Sequence, residues 1–586
     1  MRQWMVAAKK ADFYAIAEKF HVDPVVARII RNREVIGEKN IRIYLGGNLS
    51  DLSDPHQMKD MDRLVEILAQ KIRKQVHIRI IGDYDVDGVT SSHLFLTALR
   101  RVGAKVDVVI PHRIQDGYGL SLHLLQQAKE DGVDTILTCD NGIAAIDEIA
   151  WAKAQKMTVL VTDHHAVPFE EHEGRRTEKK SLADAVVNPH QQDCRYPYKE
   201  LCGAGVAWNV IRVLYENYDM DKREAEDLLD FVAMATVCDV MSLTGENRIL
   251  VKEGLKRIRH TKNIGLQALM QACNVQPENI SAYHFGYVLG PCVNATGRLD
   301  TARHALRLLE TGQETEAEEI ARDLVDLNQE RKELTLQGVE MAKKLCEEGG
   351  YENDPVLVLF LPDVHESIAG LIAGRIREMY NRPVFVLTRG EEGVKGSGRS
   401  TENYSMYENM CGCAELFTKF GGHPMAAGLS LPEENVEKFR RKINENCPLT
   451  VEEVCPDIHI DMAMPVGYAS TELVHQFALL EPFGKDNPSP LFADRNLSIS
   501  RMWVIGKNRN VLRMSVLSEY GQPVPVIFFG DVETLFAYFT EKFGQEEVEN
   551  ALHGRKNRIL FSMVYTAKID FYQGNENLQL EMKYYR

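Results

Sequence analysis

Acidic and imidazole side chains follow three of the predicted strands in the first half of the chain, at the point where each strand ends. The three clusters are Asp83-Tyr84-Asp85-Val86-Asp87-Gly88, Asp140-Asn141-Gly142 and Asp163-His164-His165. Asp239 is a fourth candidate, because it lies among apolar residues and a buried charge requires a partner. Carboxylate oxygens with one or two imidazoles suit Mn²⁺ or Mg²⁺. Two such ions about 4 Å apart clamp the attacking and leaving oxygens of a phosphoryl displacement, so these residues predict phosphoester hydrolysis.

The first cluster also fits the start of a calcium-binding EF-hand loop, which has acidic residues at alternate positions and a glycine. Such a loop needs a bidentate glutamate at its twelfth position, which is Leu94 when the count begins at Asp83. The cluster also follows a predicted strand instead of a helix. A single aspartate at a strand end is more often a helix cap than a ligand. Three such clusters at the edge of one sheet favour a metal centre.

The spacing of strand and helix patterns explains how these side chains would meet. From 77 to about 240, short β-branched runs alternate with helical patterns, and the runs cover 77–81, 106–110, 135–139 and 158–162. This alternation predicts a parallel sheet with helices on its faces. In such sheets ligands bind at the carboxyl ends of the strands. We therefore expect the acidic clusters to converge.

The rest of the chain divides by the change in its patterns. An N-terminal extension covers 1–45 and the first α/β domain covers 46–314. A long uninterrupted helical pattern predicts a connector helix over 315–349, and renewed strand-helix alternation predicts a second α/β domain over 350–448. Alternating polar and apolar residues predict a small β-barrel over 449–586. The predicted fold class is α/β, with two α/β domains joined by a long helix and followed by a barrel.

Composition narrows the class of protein. The chain has 586 residues, of which 44% are hydrophobic and 26% charged, so fibrous, collagenous and disordered proteins are excluded. The longest apolar stretch, 356–361, is far shorter than the roughly 18 residues of a membrane-spanning helix. The charged residues in 1–24 leave no apolar region for a signal peptide. We expect a protein without a membrane partner.

Cysteines and net charge give weaker indications. The eleven cysteines are scattered and include no CxxC pair, which argues against a disulfide framework or a zinc ribbon and favours the cytoplasm. A net charge of -16 argues against a nucleic-acid partner. Bound cations would offset part of that charge, however, and a local basic channel remains compatible with it. The net charge alone therefore does not identify the partner.

The order of the four acidic motifs resembles the DHH phosphoesterase superfamily. Further stretches resemble the bacterial single-strand-specific 5′-to-3′ exonucleases of that superfamily: 111–113 with 116–120, 201–205, 290–291 with 294–295 and 297–299, 395–400, 421–423 with 426–428, and 480–484 with 487–488. The resemblance implies a DHH domain, a connecting helix, a DHHA1 domain and an oligonucleotide-binding barrel. Val364 and Asp486 depart from the family's usual Trp and Gly.

The resemblance also implies a set of metal ligands. These are Asp83, Asp85, Asp87, Asp140, His164 and Asp239, which would hold two Mn²⁺ or Mg²⁺ ions. His165 would contact a ligand or the scissile phosphate, and the catalytic set is Asp85, Asp87, Asp140, His164, His165 and Asp239. The metal charge would lower the pKa of bound water, so no nucleophilic serine or cysteine is needed.

A second set of residues is predicted to bind the substrate. The set is Arg113, Tyr118, Asn294, Arg298, Arg375, Ser397, Arg399 and His423. Arginine forks and small donors match phosphate oxygens, and by the resemblance the group in the second domain captures a 5′-phosphate. A surface salt bridge for any single arginine, a structural turn for His423 and a buried aromatic for Tyr118 or Phe483 are the alternatives. Lys507, Arg509, Arg555, Lys556 and Arg558 form either a basic track on the barrel or solvated loops.

The resemblance implies an exonuclease of single-stranded DNA in recombination and repair. It would thread the strand from its 5′ end between the two α/β domains and release mononucleotides, with a helicase and a single-strand-binding protein as further partners. Two alternatives remain. A DHH hydrolase of short oligonucleotides or cyclic dinucleotides would not need the barrel, and a noncatalytic scaffold would not need the acids and histidines, all of which are present.

Overall fold

The backbone of the computed structural model forms two units. The structure describes residues 3–113, 116–117, 119–172, 175–390, 393–506, 509–572 and 574–586. The first unit contains 52–241 and 249–456, and the second contains 3–51, 242–248 and 457–586.

The strands are β1 Trp4–Val6, β2 Ile78–Ile81, β3 Val106–Val109, β4 Thr135–Cys139, β5 Thr158–Thr162, β6 Phe169–His172, β7 Arg175–Glu178, β8 Ala185–Val187, β9 Leu357–Phe360, β10 Val384–Gly390, β11 Gly393–Arg399, β12 Lys419–His423, β13 Ala426–Leu431, β14 Ile458–Ile460, β15 Met462–Ala463, β16 Phe492–Ile505, β17 Val511–Leu517, β18 Pro523–Phe529, β19 Leu560–Tyr572 and β20 Asn575–Tyr585.

The helices are α1 Phe13–Phe20, α2 Pro24–Asn32, α3 Glu38–Gly46, α4 Met61–Arg73, α5 Val86–Arg101, α6 Leu122–Glu130, α7 Ile146–Ala154, α8 Gly203–Asn217, α9 Arg223–Glu226, α10 Leu229–Cys238, α11 Gly245–Ile258, α12 Ile264–Ala272, α13 Ala282–His284, α14 Gly290–Leu299, α15 Ala302–Glu310, α16 Glu314–Glu348, α17 Ala369–Tyr380, α18 Met406–Cys411, α19 Val436–Glu445, α20 Thr471–Phe477, α21 Val532–Phe543 and α22 Gln545–Leu552. No helix in the described ranges is long and apolar enough to cross a bilayer.

A parallel sheet forms the centre of the first domain. Its strand order is β3-β2-β4-β5-β8, and every neighbouring pair is parallel. Strands β2 and β4 are buried on both faces, because the consecutive residues Ile80 and Ile81, and likewise Ile136 and Leu137, are completely buried. This is why their sequences read as continuous apolar runs. The predicted parallel sheet is confirmed. Because β2, β4 and β5 are neighbours, the residues after them share one edge.

The second α/β domain also lies in the first unit and follows the long helix α16. Its sheet has the order β12-β13-β11-β10-β9, in which β9 and β10 are parallel and the other pairs antiparallel. The predicted long helix is confirmed as α16, whose buried stripe includes Ala317, Ile320 and Leu324. The antiparallel strand β11 carries Ser397 and Arg399 on the same face, because side chains alternate along a strand.

The second unit contains the predicted barrel. Strands β16, β17, β18, β20 and β19 pair in that order, and β16 also pairs with β19, which closes the ring. Phe492, Met514, Phe561 and Tyr565 fill its core. Residues 3–51, most of which the sequence assigned to a separate extension, pack in this unit, where β1 pairs with β14 in parallel. The barrel is confirmed.

One buried ion pair joins the N-terminal segment to Asp461, which lies between β14 and β15. Arg33 donates from Nη1 to Oδ1 of Asp461 at 2.7 Å and from Nη2 to Oδ2 at 3.1 Å, and the two side chains are only 9% and 6% exposed. We expect Arg33→Ala to lower the free energy of opening of β16 and β19 by about 3–5 kcal/mol, because Asp461 would remain buried without its cation. Hydrogen exchange of the barrel amides in denaturant measures this.

Arg31→Ala is the matched control. Arg31 donates to Glu34 at 2.8 Å, but Glu34 is 62% exposed, so the loss should be about 0–1 kcal/mol. Equal exchange in the two variants would contradict the role of the buried pair.

Candidate metal centre and phosphate-binding cavity

The predicted metal ligands meet at the edge formed by β2, β4 and β5. Nε2 of His164 lies 3.1 Å from Oδ1 of Asp140, 3.5 Å from Oδ2 of Asp239 and 3.7 Å from Oδ2 of Asp87. Three groups of ligand atoms each fall within 4.8 Å of one another: Asp140 with His164 and His165, Asp87 with His164 and Asp239, and Asp83 with Asp85 and Asp140. The structure thus brings together all six predicted metal ligands and His165.

The electrostatics of the cluster fit divalent cations. Asp83 is 1% exposed, and neither of its oxygens has a well-aligned hydrogen-bond donor among the described residues. Burial and the charge of Asp85 raise the pKa of Asp83 well above its ordinary value, and the amides of Tyr84 and Gly119 offset this only in part. Octahedral Mg²⁺ at about 2.1 Å places neighbouring ligands about 3 Å apart, which matches the distance from His164 to Asp140. The residues therefore suit Mn²⁺ or Mg²⁺.

Asp87 is held by the first turn of α8. Its carboxylate accepts hydrogen bonds from the backbone N–H groups of Gly203 at 2.6 Å and Ala204 at 2.7 Å. The positive end of the helix stabilises the carboxylate. Gly203 also has to be a glycine, since a Cβ there would lie 2.6 Å from Cβ of Asp140. The helix can approach two candidate ligands only because this side chain is absent.

We expect Gly203→Ala to lower Mn²⁺ affinity about tenfold to a hundredfold, because it pushes Asp140 away from the cluster and shifts the donors of Asp87. Gly205→Ala is the matched control in the same turn, where a Cβ would meet Leu201 at 3.4 Å, an ordinary contact. Titration calorimetry with Mn²⁺ on both variants tests this. Equal affinities would show that the approach of α8 does not position Asp140.

Asp163 positions the two histidines. It accepts hydrogen bonds from the backbone N–H groups of Ile143 at 2.9 Å, His164 at 2.7 Å and His165 at 3.1 Å, and from Nδ1 of His165 at 2.8 Å. Burial raises the pKa of Asp163, but these bonds and the histidine charges outweigh it and lower the pKa. Burial likewise lowers the pKa of His165, yet Asp163 and the nearby carboxylates raise it to about 9.

Asp239 differs from the expectation in its burial. The sequence predicted a carboxylate enclosed by apolar residues, but the side chain is 26% exposed. The reason is that α10 ends at Cys238, and Val240 then adopts a left-handed φ of 55° with 62% exposure. Asp239 therefore lies at the solvent side of the cluster while its oxygen stays near His164.

A cavity of about 570 Å³ adjoins the metal centre within the first unit. Its lining includes Tyr84, Arg113, Arg298, Glu366, Ser367, Gly370, Lys395, Ser397, Arg399 and Lys419. Tyr84 stands between the candidate ligands Asp83 and Asp85 and so connects the two sites. The five cationic side chains outnumber the one carboxylate, which pairs with Lys395 at 2.8 Å. This surplus of positive charge suits an anion.

The arginines of the cavity are preorganised. Arg298 donates to the carbonyl oxygen of Ser367 at 2.8 Å, and Arg399 donates to the carbonyl oxygen of Gly398 at 2.7 Å and to Oγ of Ser397 at 3.2 Å. Burial, followed by the charges of neighbouring arginines, lowers the pKa of Arg298 to about 10. Burial and the charge of Arg113 also lower the pKa of Arg399. A bound phosphate would offset this mutual repulsion.

Other predicted substrate residues have different surroundings. Oδ1 of Asn294 accepts from the backbone N–H of Val86 at 3.2 Å, so it contacts the metal loop. Arg375 is 68% exposed beside Glu378, and neither it nor the exposed His423 is in the cavity lining given above. Tyr118 and Lys507 lie outside the described residues.

The barrel residues predicted to contact the strand are at the surface. Arg509, Arg555, Lys556 and Arg558 are exposed, whereas Phe483 is partly buried against the barrel core.

Sequence reasoning missed Lys395 and Lys419 as cavity residues. Lys395 has a local signal, because it lies two positions before Ser397 and therefore on the same face of β11. Lys419 has none. Both lysines pair with Ser430 of the intervening strand β13, and only the register of three strands places them side by side.

Comparison with known proteins gives the family. Family models match the DHH family N-terminal domain at 77–236, the DHHA1 domain at 353–447 and the RecJ OB domain at 460–584. The single-stranded-DNA-specific exonuclease RecJ of Haemophilus influenzae is 32% identical over 582 residues, which cover 96% of this chain and 96% of that protein. This chain belongs to the RecJ family.

Other members of the RecJ family are also similar to this chain in sequence and structure. RecJ of Bacillus subtilis is 33% identical over 512 residues, and the match spans 87% of this chain but 63% of that longer protein. RecJ of Thermus thermophilus in complex with Mn²⁺ superposes with a TM-score of 0.81, covers 100% of this chain and 79% of its own, and is 25% identical. That protein has also been solved with Mg²⁺. The resemblance stated above is confirmed: the chain is a metal-dependent nuclease of the RecJ family, and its acidic cluster could hold metal ions.

Proposed function

We propose that this chain degrades single-stranded DNA from its 5′ end and releases 5′-mononucleotides, in recombination and repair. One observation carries the proposal: Tyr84, between two candidate metal ligands, also lines the basic cavity of Arg298 and Arg399. A 5′-phosphate in the cavity then places the first phosphodiester bond at the metal centre. This arrangement favours cleavage one nucleotide from the end.

The candidate ligands divide between two ions. Asp83, Asp85, Asp87, Asp140, His164 and Asp239 would hold them, and Asp140 belongs to two of the three ligand groups. When bound, Mn²⁺ or Mg²⁺ lowers the pKa of a coordinated water and offsets charge on the phosphoryl oxygens. His165, whose pKa Asp163 raises against the effect of burial, would contact a metal ligand or the scissile phosphate.

The cavity binds and orients the strand. Arg113, Arg298, Ser397 and Arg399 donate to the terminal phosphate, and Lys395 and Lys419 add positive charge beside it. Because Arg298 and Arg399 are already fixed by backbone carbonyls, they lose little side-chain freedom when phosphate binds. A terminal phosphate has more charge than an internal one, which gives the preference for strand ends.

A time course on single-stranded DNA labelled at either end tests the direction. With Mn²⁺ or Mg²⁺, the 5′ label should appear first as a mononucleotide, while the 3′ label shortens one nucleotide at a time. Early release of a labelled mononucleotide from the 3′ end would contradict the proposed polarity. Equal rates on a dinucleotide and a long strand would instead favour a hydrolase of short oligonucleotides.

The domain assignment follows from the same features. We assign 46–314 to the DHH domain, 315–349 to the connector, 350–448 to the DHHA1 domain and 449–586 to the oligonucleotide-binding domain, with 1–45 as an N-terminal extension. The barrel supplies the exposed cations Arg509, Arg555, Lys556 and Arg558 for the trailing single strand. A helicase that produces the strand and a single-strand-binding protein are the proposed protein partners.

The cysteines support a cytoplasmic location. All eleven cysteines are free thiols in the structure: six are buried, four are partly exposed and Cys411 is exposed. Free thiols persist in a reducing compartment.

A further inference from the structure

Two cysteines face each other beside the helix that carries Asn294 and Arg298. Sγ of Cys273 lies 3.8 Å from Sγ of Cys292. Cys273 directly follows the last residue of α12, and Cys292 lies in the first turn of α14. Cys273 is partly exposed, whereas Cys292 is 2% exposed. A reagent in solution therefore reaches Cys273 first, and the buried Cys292 thiol is its neighbour.

The surroundings of the two thiols differ. Sγ of Cys292 lies 3.3 Å from the carbonyl oxygen of Val288, and it accepts a hydrogen bond from Nδ2 of Asn328 at 3.3 Å. The hydrogen bond with Cys292 lowers the pKa of Cys273; burial opposes this, and the charge of Lys332 adds to it. The thiolate is the reactive form of cysteine, so Cys273 is the more reactive of the pair.

We propose that Cys273 and Cys292 are an oxidation site at which a hydroperoxide such as hydrogen peroxide forms a reversible disulfide. The Cys273 thiolate attacks one peroxide oxygen, the O–O bond breaks, and hydroxide leaves a sulfenic acid on Cys273. The Cys292 thiol then attacks that sulfur, the S–O bond breaks, and water leaves as the S–S bond forms. Two electrons pass from the two thiols to the peroxide, and a dithiol reductant reverses the change.

The position of Cys292 couples this site to the metal loop and the cavity. A disulfide bond is about 2 Å long, so the two sulfurs must approach and Cys292 must move relative to Asn328. The same helix, α14, holds the Val86 N–H through Asn294 and the Ser367 carbonyl through Arg298. A shift of α14 therefore disturbs both sites at once. The resulting loss of hydrolysis rests on the proposed function, whereas disulfide formation does not.

A peptide experiment detects the bond without any activity measurement. Trypsin releases both cysteines in one peptide, 263–298, and a glutamate-specific protease then cuts it after Glu278. After treatment of the full chain with hydrogen peroxide, the two halves should remain joined, lighter by two hydrogens than their sum, and separate with dithiothreitol. Two separate halves, each with a free or overoxidised cysteine, would overturn the proposal.

Activity on single-stranded DNA then tests the coupling. Peroxide should lower the rate of the wild-type chain by about fivefold or more, and dithiothreitol should restore it. Cys273→Ser and Cys292→Ser should each retain their rate, while Cys411→Ser, which removes an exposed thiol elsewhere, should lose activity like the wild type. A joined peptide together with an unchanged rate would overturn the coupling. If the reduced chain were already inactive on single-stranded DNA, the proposed function would be overturned. The joined peptide would then still support the oxidation site.

Discussion

Replacing Asp140 with alanine is expected to lower the hydrolysis of single-stranded DNA by about a thousandfold or more. Asp140 is the residue shared by the group with His164 and His165 and the group with Asp83 and Asp85, so its removal weakens both candidate ion positions. The carboxylate is buried, and water cannot fully replace it. Initial rates in Mn²⁺ measure the loss, and fluorescence anisotropy should still detect binding of the strand.

A second variant separates the effect of losing the Asp140 charge from the effect of straining the backbone at this position. Asp140 has a φ of 62°, a left-handed conformation that asparagine tolerates better than alanine. Asp140→Asn should therefore keep the fold and still lose activity. Asp147→Ala is the matched control, because Asp147 is an exposed acid in the helix that follows the same strand. Turnover equal to that of the control would remove Asp140 from the metal centre.

Arg399→Ala is expected to reduce the preference for a 5′-phosphorylated end about tenfold to a hundredfold. The reason is the loss of a charge-assisted contact worth about 1.5–3 kcal/mol. Arg399 lines the cavity and is fixed by Gly398 and Ser397, so its guanidinium is ready for an anion. The ratio of kcat/KM on strands with a 5′-phosphate and a 5′-hydroxyl measures the preference.

The matched control for Arg399 is Arg389→Ala. Arg389 is on the neighbouring strand β10, is 55% exposed and pairs with Glu433 at 3.0 Å. Arg389→Ala should leave the ratio of kcat/KM on 5′-phosphate and 5′-hydroxyl strands unchanged. An unaltered ratio for Arg399→Ala as well would place the terminal phosphate outside this cavity.

Much of the site was predictable because it depends on local periodicity. Short apolar runs alternating with helices specify a parallel sheet, and the sheet alone brings the residues after β2, β4 and β5 to one edge. The packing of α14 was not predictable in this way. Its contact between Asn294 and Val86 joins residues about 200 positions apart, and no local pattern encodes that pairing.

The other features that the sequence did not predict also depend on contacts or element ends that no local pattern encodes. The meeting of Lys395 and Lys419 depends on strand register across β13, and the exposure of Asp239 depends on where α10 ends. Strand β1 has only three residues, which is too short for its sequence to predict that it pairs with β14, more than 450 positions away.

That pairing of β1 with β14 affects the order in which the protein can fold on the ribosome. Residues 3–51 emerge early, but the barrel residues of their unit begin at 457, so at about 5–20 residues per second they wait about 20–80 s for the barrel. During this interval the apolar faces of α1 and α2 have no barrel to cover them, while the catalytic unit is already being completed. Nascent chains should therefore recruit chaperones through their first fifty residues. A stalled chain that lacks its last strands should be degraded from its N-terminal end.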